Sequence, residues 1–363
     1  MMDIRAAVAR AAGEDFSLET LRLDDPRDDE VVVELVATGV CHTDITGRDG
    51  RLPTPFPCVL GHEGAGRILE VGAQVTDLRP GDPVVLSFSS CGTCAHCAGG
   101  HVAYCETFPA LNFSGSRPDG SPVLHDAAGE IVHGAFFGQS SFATHALAQR
   151  RNVVKVSQEV PLELLGPLGC GFQTGAGAMI NVLRPARDST VAIFGAGAVG
   201  FAALLAAWLL GCRRIVAVDR VASRLELARE LGATHVVDTD RDSLAEALAE
   251  FGPIDVAIET TGVPALVEAL VPALGVRGRC ALVGVSANTG VSLDLRHLSG
   301  GRVLTGVREG DSNPQVFIPE LVEHIRRGAF PVDRLIRFYP LSEINQAIAD
   351  AKSGLAVKPV LRF

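Results

Sequence analysis

The chain has 363 residues, 47% of them apolar and 20% charged, with a formal net charge of −10. That length exceeds what one hydrophobic core usually fills, so two domains are expected, and the composition excludes a disordered or fibrous chain. The acidic balance, with no dense Lys/Arg run, argues against a polyanion, so no nucleic acid partner is expected.

The first residues, MMDIRAAVARAAGEDF, carry charges in every window that could serve as a signal core, and the longest apolar run, Phe201–Cys212, is too short to cross a bilayer. A soluble cytoplasmic protein with no membrane partner is expected. From Val31 to about Asp82 short β-rich runs, VVVELVATGV, GAGRILEVG and DPVVLSF, are separated by turns such as RPGDP. This spacing predicts an irregular β-rich barrel or sandwich. Cys41, in CHTD, and His62, in GHEGAG, fall at turns between these runs.

The stretch CGTCAHCAGGHVAYC, Cys91 to Cys105, comes next in a Gly-rich loop without periodicity, its cysteines spaced C-x2-C-x2-C-x7-C. A disulfide knot, a redox motif, a metal cage and a reactive centre all fit the spacing. Nine cysteines, an odd number, in a chain without a secretion signal favour thiolates that bind metal or react.

After about Cys170 the pattern changes. The strand VAIFGAG, helix AVGFAALLAAWLLG, strand RIVAVD, helix SRLELARELG, strand HVVD, helix SLAEALAEFG, strand IDVAIETTG, helix ALVEALVPAL and strand GRCALVGV alternate as a parallel doubly wound sheet requires. From about Val307 an amphipathic helix, FIPELVEHIRRG, and a closing strand, VKPVLRF, are read as returning to the first domain. The expected fold class is therefore α/β, with a β-rich domain over residues 1–171, a nucleotide-binding domain over 172–305 and a returning tail over 306–363.

Within TVAIFGAGAVG a buried strand runs into Gly-x-Gly-x-x-Gly. Gly195 makes the tight turn, Gly197 lets the backbone approach a pyrophosphate and Gly200 permits close helix packing, with the phosphates over a helix N-terminus. Asp219 ends the second strand about 20 residues further on, where a carboxylate accepts from the adenosine ribose hydroxyls and repels a 2′-phosphate. NAD is therefore expected over NADP, a preference that Arg220 and Arg224 would soften. The competing role for Asp219 is capping of the next helix.

Cys41, His62 and a third thiolate would set two sulfurs and one nitrogen around zinc and leave a fourth position open. Cys170, in LGPLGCGFQTGAG, is the third candidate, because it falls where the β-rich region hands over to the nucleotide domain. An open zinc beside a hydride acceptor implies alcohol or aldehyde chemistry.

With these motifs in this order, the sequence resembles the zinc-dependent medium-chain alcohol dehydrogenases over essentially its whole length. FFGQSSFATHA, LLGPLGCGFQTGAGA and FIPELVEHIRRGAFPVDRLIRFYPLSEINQAIAD further resemble the aryl-alcohol (benzyl alcohol) dehydrogenase branch. The resemblance implies a GroES-like catalytic domain with a Rossmann coenzyme domain, and a homo-oligomer, dimer or tetramer. It also implies two zinc ions per chain, the second a structural one on Cys91, Cys94, Cys97 and Cys105, where four thiolates leave no open position.

The resemblance further implies that Thr43 takes the substrate hydroxyl proton, that Asp44 orients His62, and that Glu63 approaches the metal during ligand exchange. It places His42 and Lys358 near the cofactor pyrophosphate, Thr174 and Val199 against the nicotinamide, and Arg224 near the adenosine. Thr46 stands where some members carry a relay histidine, so the far end of the proton path stays open. Metal-bound water drops from a pKa of 15.7 to about 7. A primary alcohol acidified in the same way would give up its hydride to NAD and leave as aldehyde.

Phe88, Phe113, Phe136 and Phe137 are candidate pocket residues, and equally candidate core. Aryl, benzylic or allylic alcohols are the substrates the resemblance implies. A thiol-adduct formaldehyde dehydrogenase on the same scaffold is the enzymatic alternative, and a non-catalytic NAD- and zinc-binding sensor is the other.

Overall fold

Alternating and continuous apolar runs become strands wherever turn residues bound them, and the computed structural model describes residues 1–284 and 290–363. Val285, the last residue of the run GRCALVGV, lies outside the described residues. Two compact units result: Met1–Cys170 with Asn313–Gly328 and Val332–Phe363, and Gly171–Ser312 with Ala329–Pro331.

The first unit holds two sheets. Five strands run in the order Cys58–Val59, Met2–Ala9, Ser17–Leu23, Leu124–His125, Ile131–Val132. The second sheet is centred on Glu30–Gly39, whose EVVVELVATG is buried along most of its length and pairs with Gly64–Val71, His145–Gln149 and Lys358–Arg362. β-branched residues suit this doubly covered position. The pairing with Gly64–Val71 shifts register twice, between Val32 and Val33 and between Leu35 and Ala37, and Gly66 lies where its strand crowds the Glu34 carbonyl. Such bulges re-aim the chain ends that carry functional side chains.

The tail matters for the site. Lys358–Arg362 pairs antiparallel with the end of Glu30–Gly39, Val360 opposite Gly39, which sets Lys358 beside the turn at Val40. The helix Pro314–Arg326 begins with Asn313 accepting from the Gln315 N–H at 3.2 Å and with Pro314 at its first position. It buries Phe317, Ile318, Leu321 and Val322 on one face, and Gln315 donates to the Arg151 carbonyl at 2.9 Å.

The second unit contains a six-stranded sheet in the order His235–Asp238, Arg214–Asp219, Thr190–Phe194, Ile254–Glu259, Leu274–Leu282, Val303–Gly306, with every pairing parallel. Thr190–Phe194 is buried throughout. Its position at the centre of the order creates a switch point between it and Ile254–Glu259, where doubly wound sheets bind ligands beyond their carboxyl ends. Val303–Gly306 has no signal in the sequence: VLTG is a short, half-exposed edge with neither alternation nor a long apolar run.

The tail rejoins the first unit at Asn313, later than the residue 306 expected from the sequence. The Val307 N–H still bonds to the Leu282 carbonyl at 2.9 Å, and the turn after it packs on the helix Gly171–Gly177, so residues up to Ser312 belong to the second unit.

Candidate metal and dinucleotide sites

Cys41 ends the turn after Glu30–Gly39 in an extended conformation and begins the short helix His42–Arg48. Asp44, fully buried in the first turn of that helix, orients both Cys41 and His62. One of its oxygens accepts from the Cys41 N–H at 2.8 Å; the other accepts from the Gly61 N–H at 3.1 Å and lies 2.7 Å from His62 Nδ1. Gly61 has φ +89 and a Cβ there would run into Phe142, so only glycine can turn His62 toward Asp44. The imidazole is held on its other sides by Phe137, stacked at 4.4 Å between centroids, and by the edge of Phe136 at 5.7 Å.

Cys170 comes directly after the turn Gly166–Gly169. Ser87 donates to the Gly169 carbonyl at 2.7 Å, and neither Gly166 nor Gly169 has room for a Cβ, so the turn lies flush against the Glu63 and Leu86 carbonyls. The donor atoms of Cys41, His62, Glu63 and Cys170 thereby all lie within 4.8 Å of one another.

His62 Nε2 is buried and has no hydrogen-bond partner among the described residues. An orphaned buried nitrogen costs about 1–3 kcal/mol, and a nitrogen within 4.8 Å of two thiols suits a zinc ion with two sulfur ligands and one nitrogen ligand. The Cys41 thiol is held well below its ordinary range, first by the hydrogen bond from Cys170, then by His62, against the effect of burial. Burial pulls the His62 imidazole down, but the Asp44 charge and hydrogen bond outweigh it and leave it raised. The donor set therefore fits a soft divalent cation.

Thr43 is half-buried with Oγ1 3.8 Å from Cys41 Sγ. Glu63 is buried and raised by desolvation; its oxygens receive Lys358 Nζ at 2.8 and 2.9 Å, and the same ammonium donates to the Val40 carbonyl at 3.2 Å. Burial lowers Lys358, and the Glu63 charge more than reverses this. Lys358, the residue expected near the pyrophosphate, has a side chain 3% exposed whose ammonium is paired with Glu63. His42 is exposed.

The four cysteines of the loop converge independently, their sulfurs within 4.8 Å of one another. Cys91 Sγ is 3.9 Å from Cys97 Sγ, close to the roughly 3.8 Å edge of a tetrahedron with 2.3 Å zinc–sulfur bonds and far beyond a bonded S–S pair. Backbone N–H groups of Thr93 and Cys94 point at Cys91 Sγ at 3.4 and 3.2 Å and depress it to about 5, while burial pushes Cys97 up to about 12. All nine cysteines are free of disulfides. Cys58, Cys212 and Cys280 are buried and raised by desolvation, as packing thiols are.

In the second unit, Gly195 has φ +93 and packs on Thr260, whose hydroxyl donates to the Phe194 carbonyl at 2.8 Å. A Cβ on Gly200 would strike the Gly195 carbonyl, which explains the closeness of strand and helix. A Cβ on Gly197 would instead meet no heavy atom within 4 Å among the described residues. Such space beside the uncapped N-terminus of Ala198–Leu209 has the shape and polarity that suit a phosphate group. Asp219 stands at its strand end but already receives the Ala196 N–H at 2.6 Å and the Arg220 and Val221 N–H groups at 2.8 and 2.9 Å. It therefore staples the glycine turn to the two residues before the helix Ala222–Glu230 rather than capping that helix, with lone-pair capacity remaining for a ribose. Arg224 Nε is buried without a hydrogen-bond partner among the described residues. Thr174 is buried on Gly171–Gly177, and its neighbour Gly175 lies flush on the Val199 carbonyl.

Sequence reasoning missed three contributors: the stacking of Phe137 on His62, the Gln139 side chain that braces the GHEG turn by donating to the His62 carbonyl and accepting from the Gly64 N–H, and Glu309 beside Thr174. Only the FFGQ run, rich in rings and ending in an amide, carried a signal for the first two.

Residues 27–158 match the alcohol dehydrogenase GroES-like domain family, and residues 198–325 match the zinc-binding dehydrogenase family. The geraniol dehydrogenase of Castellaniella defragrans is 46% identical over 99% of this chain and 97% of its own. The benzyl alcohol dehydrogenase structure from Acinetobacter calcoaceticus is 47% identical with a TM-score of 0.97, covering all of both chains. An alcohol dehydrogenase zinc-binding domain protein from Burkholderia ambifaria is 53% identical with a TM-score of 0.98, covering 100% of this chain and 99% of that one. The chain belongs to the zinc-dependent medium-chain alcohol dehydrogenases, enzymes built from a GroES-like domain and a Rossmann domain.

Proposed function

We propose that the protein oxidises primary alcohols to aldehydes, reversibly, with NAD as hydride acceptor, and that aryl, benzylic or allylic alcohols are its preferred substrates. The observation that carries the chemistry is the buried, unpartnered His62 Nε2 facing the thiols of Cys41 and Cys170. When bound there, zinc supplies the Lewis acidity that makes a hydroxyl proton labile, and NAD supplies the hydride acceptor.

The remaining work falls to this chain's own groups. Thr43 Oγ1, next to Cys41, accepts the substrate proton and hands it on, a role suited to a hydroxyl that donates and accepts at once. Asp44 holds Cys41 and His62 in one orientation. Lys358 restrains Glu63, so that any approach of that carboxylate to the metal must first break a buried ion pair. Cys91, Cys94, Cys97 and Cys105 would hold a second zinc, which would brace their loop. Gly195, Gly197, Gly200, Val199 and Thr174 form the cofactor cradle, with Asp219 and Arg224 at the adenosine end and His42 near the pyrophosphate.

The aryl preference is supported by the ring cluster at His62. The Phe137 ring centroid lies 5.4 Å from that of Phe113, 6.1 Å from Phe108 and 5.0 Å from Phe136, so aromatic rings pack beside the His62 imidazole. The named activities of the Castellaniella and Acinetobacter proteins support it too. Among the described residues no helix is long and apolar enough to cross a membrane. The disulfide-free thiols favour a cytoplasmic setting, and the family resemblance favours a homo-oligomer.

A panel of benzylic, allylic and short aliphatic primary alcohols, monitored by absorbance of the reduced nicotinamide with NAD and with NADP, tests this. Benzylic or allylic substrates with NAD are expected to give the highest kcat/KM. A requirement for glutathione or mycothiol with formaldehyde would replace this reading with the thiol-adduct one.

A further inference from the structure

The turn Glu309–Gly310–Asp311 has three consecutive positive φ values, +48, +67 and +46. Two of these residues are not glycine, and each such conformation costs about 1–3 kcal/mol unless the surroundings enforce it. The surroundings do. Gly310 and Gly177 meet backbone to backbone with no space for a Cβ on either, Asn181 donates to the Gly310 carbonyl at 3.1 Å, and Ser312 Oγ lies 2.9 Å from Gln173 Oε1. The result of this enforced strain is that the Glu309 side chain turns inward, 8% exposed, and accepts from Thr174 Oγ1 at 3.4 Å.

The turn comes shortly after Val303–Gly306, so Glu309 lies at the carboxyl edge of the parallel sheet, the edge that also carries the glycine turn. Thr174 is next to Gly175, which touches the Val199 carbonyl within the Gly-x-Gly-x-x-Gly segment. Contacts thus run without a gap from the dinucleotide cradle to this carboxylate.

We propose that Glu309 is a cofactor-positioning carboxylate that biases the nicotinamide site toward the oxidised, positively charged ring. The proposal rests on NAD being the cofactor and on Thr174 lining the nicotinamide end. A partly buried anion attracts the pyridinium of NAD+ and does nothing comparable for the uncharged dihydropyridine of NADH. The donor hydrogen bond from Thr174 holds the carboxylate in place, and the strained turn stops it from swinging to solvent.

Isothermal titration of the zinc-loaded protein with NAD+ and with NADH tests it, on wild type, Glu309→Gln, Glu309→Ser as a second neutral variant, and Glu309→Asp. The neutral variants are expected to weaken NAD+ by about fivefold or more while NADH changes by less than about twofold, and Glu309→Asp to keep the wild-type ratio. Equal weakening of both, the signature of a purely structural role, overturns the proposal, as does an unchanged ratio. If wild type binds neither nicotinamide, the cofactor reading itself fails, which the wild-type titration alone reveals.

Discussion

The two cysteine-rich donor sets of the first unit are made in opposite ways. Cys91, Cys94, Cys97 and Cys105 come from one short loop, two of them half-exposed, and their sulfurs are turned inward largely by neighbouring backbone N–H groups. Cys41, His62 and Cys170 come from three distant segments, and their orientation depends on the buried side chain of Asp44, the stacked ring of Phe137 and glycines that admit no Cβ. A closed set of four like donors can be encoded by spacing alone. A mixed set needs the assembled fold, and a catalytic zinc is one whose protein ligands leave a position open.

The contrast is sharpened first by removing one donor from each set. Cys41→Ser is expected to lower kcat/KM by about a thousandfold or more while NAD binding and the melting temperature stay near wild type, since such a site contributes its Lewis acidity to the chemical step. Near-wild-type kcat/KM in this variant would break the distinction. Asp44→Asn should come second, with a loss of about 10–100-fold in activity or zinc affinity, because one carboxylate orients both a thiol and the imidazole. If turnover and metal content both survive it, Asp44 is only a helix-start residue. Cys94→Ser should have the smallest effect on the chemistry. Its main result is a lower melting temperature, by several degrees, with residual kcat within about tenfold; an unchanged melting curve would remove the bracing role.

The sequence makes the donors legible more readily than their supports. Cys-x2-Cys-x2-Cys, GHEGAG and GAGAVG are local patterns whose spacing reflects local geometry, and the alternation after Cys170 reflects the parallel sheet. The Lys358–Glu63 pair joins residues 295 apart in the chain and exists only because the last strand pairs with Glu30–Gly39. Nothing in the local sequence around either residue signals it, and the pyrophosphate role expected of Lys358 comes from the family resemblance alone. Removing one partner of such a buried pair typically costs about 3–5 kcal/mol. The turn Glu309–Gly310–Asp311 is hidden for a related reason: EGD reads as an ordinary polar loop until Gly177 is seen against it. Phe137 is legible as an aromatic, but its stacking on His62 depends on a left-handed backbone, φ +51, that phenylalanine rarely adopts.

The most direct test is the zinc content of the purified protein and of the Cys41→Ser and Cys94→Ser variants, measured alongside turnover. The account predicts about two zinc ions per chain in wild type and about one in each variant, with turnover lost only in Cys41→Ser. Full turnover by a Cys41→Ser protein that has lost one zinc would contradict it.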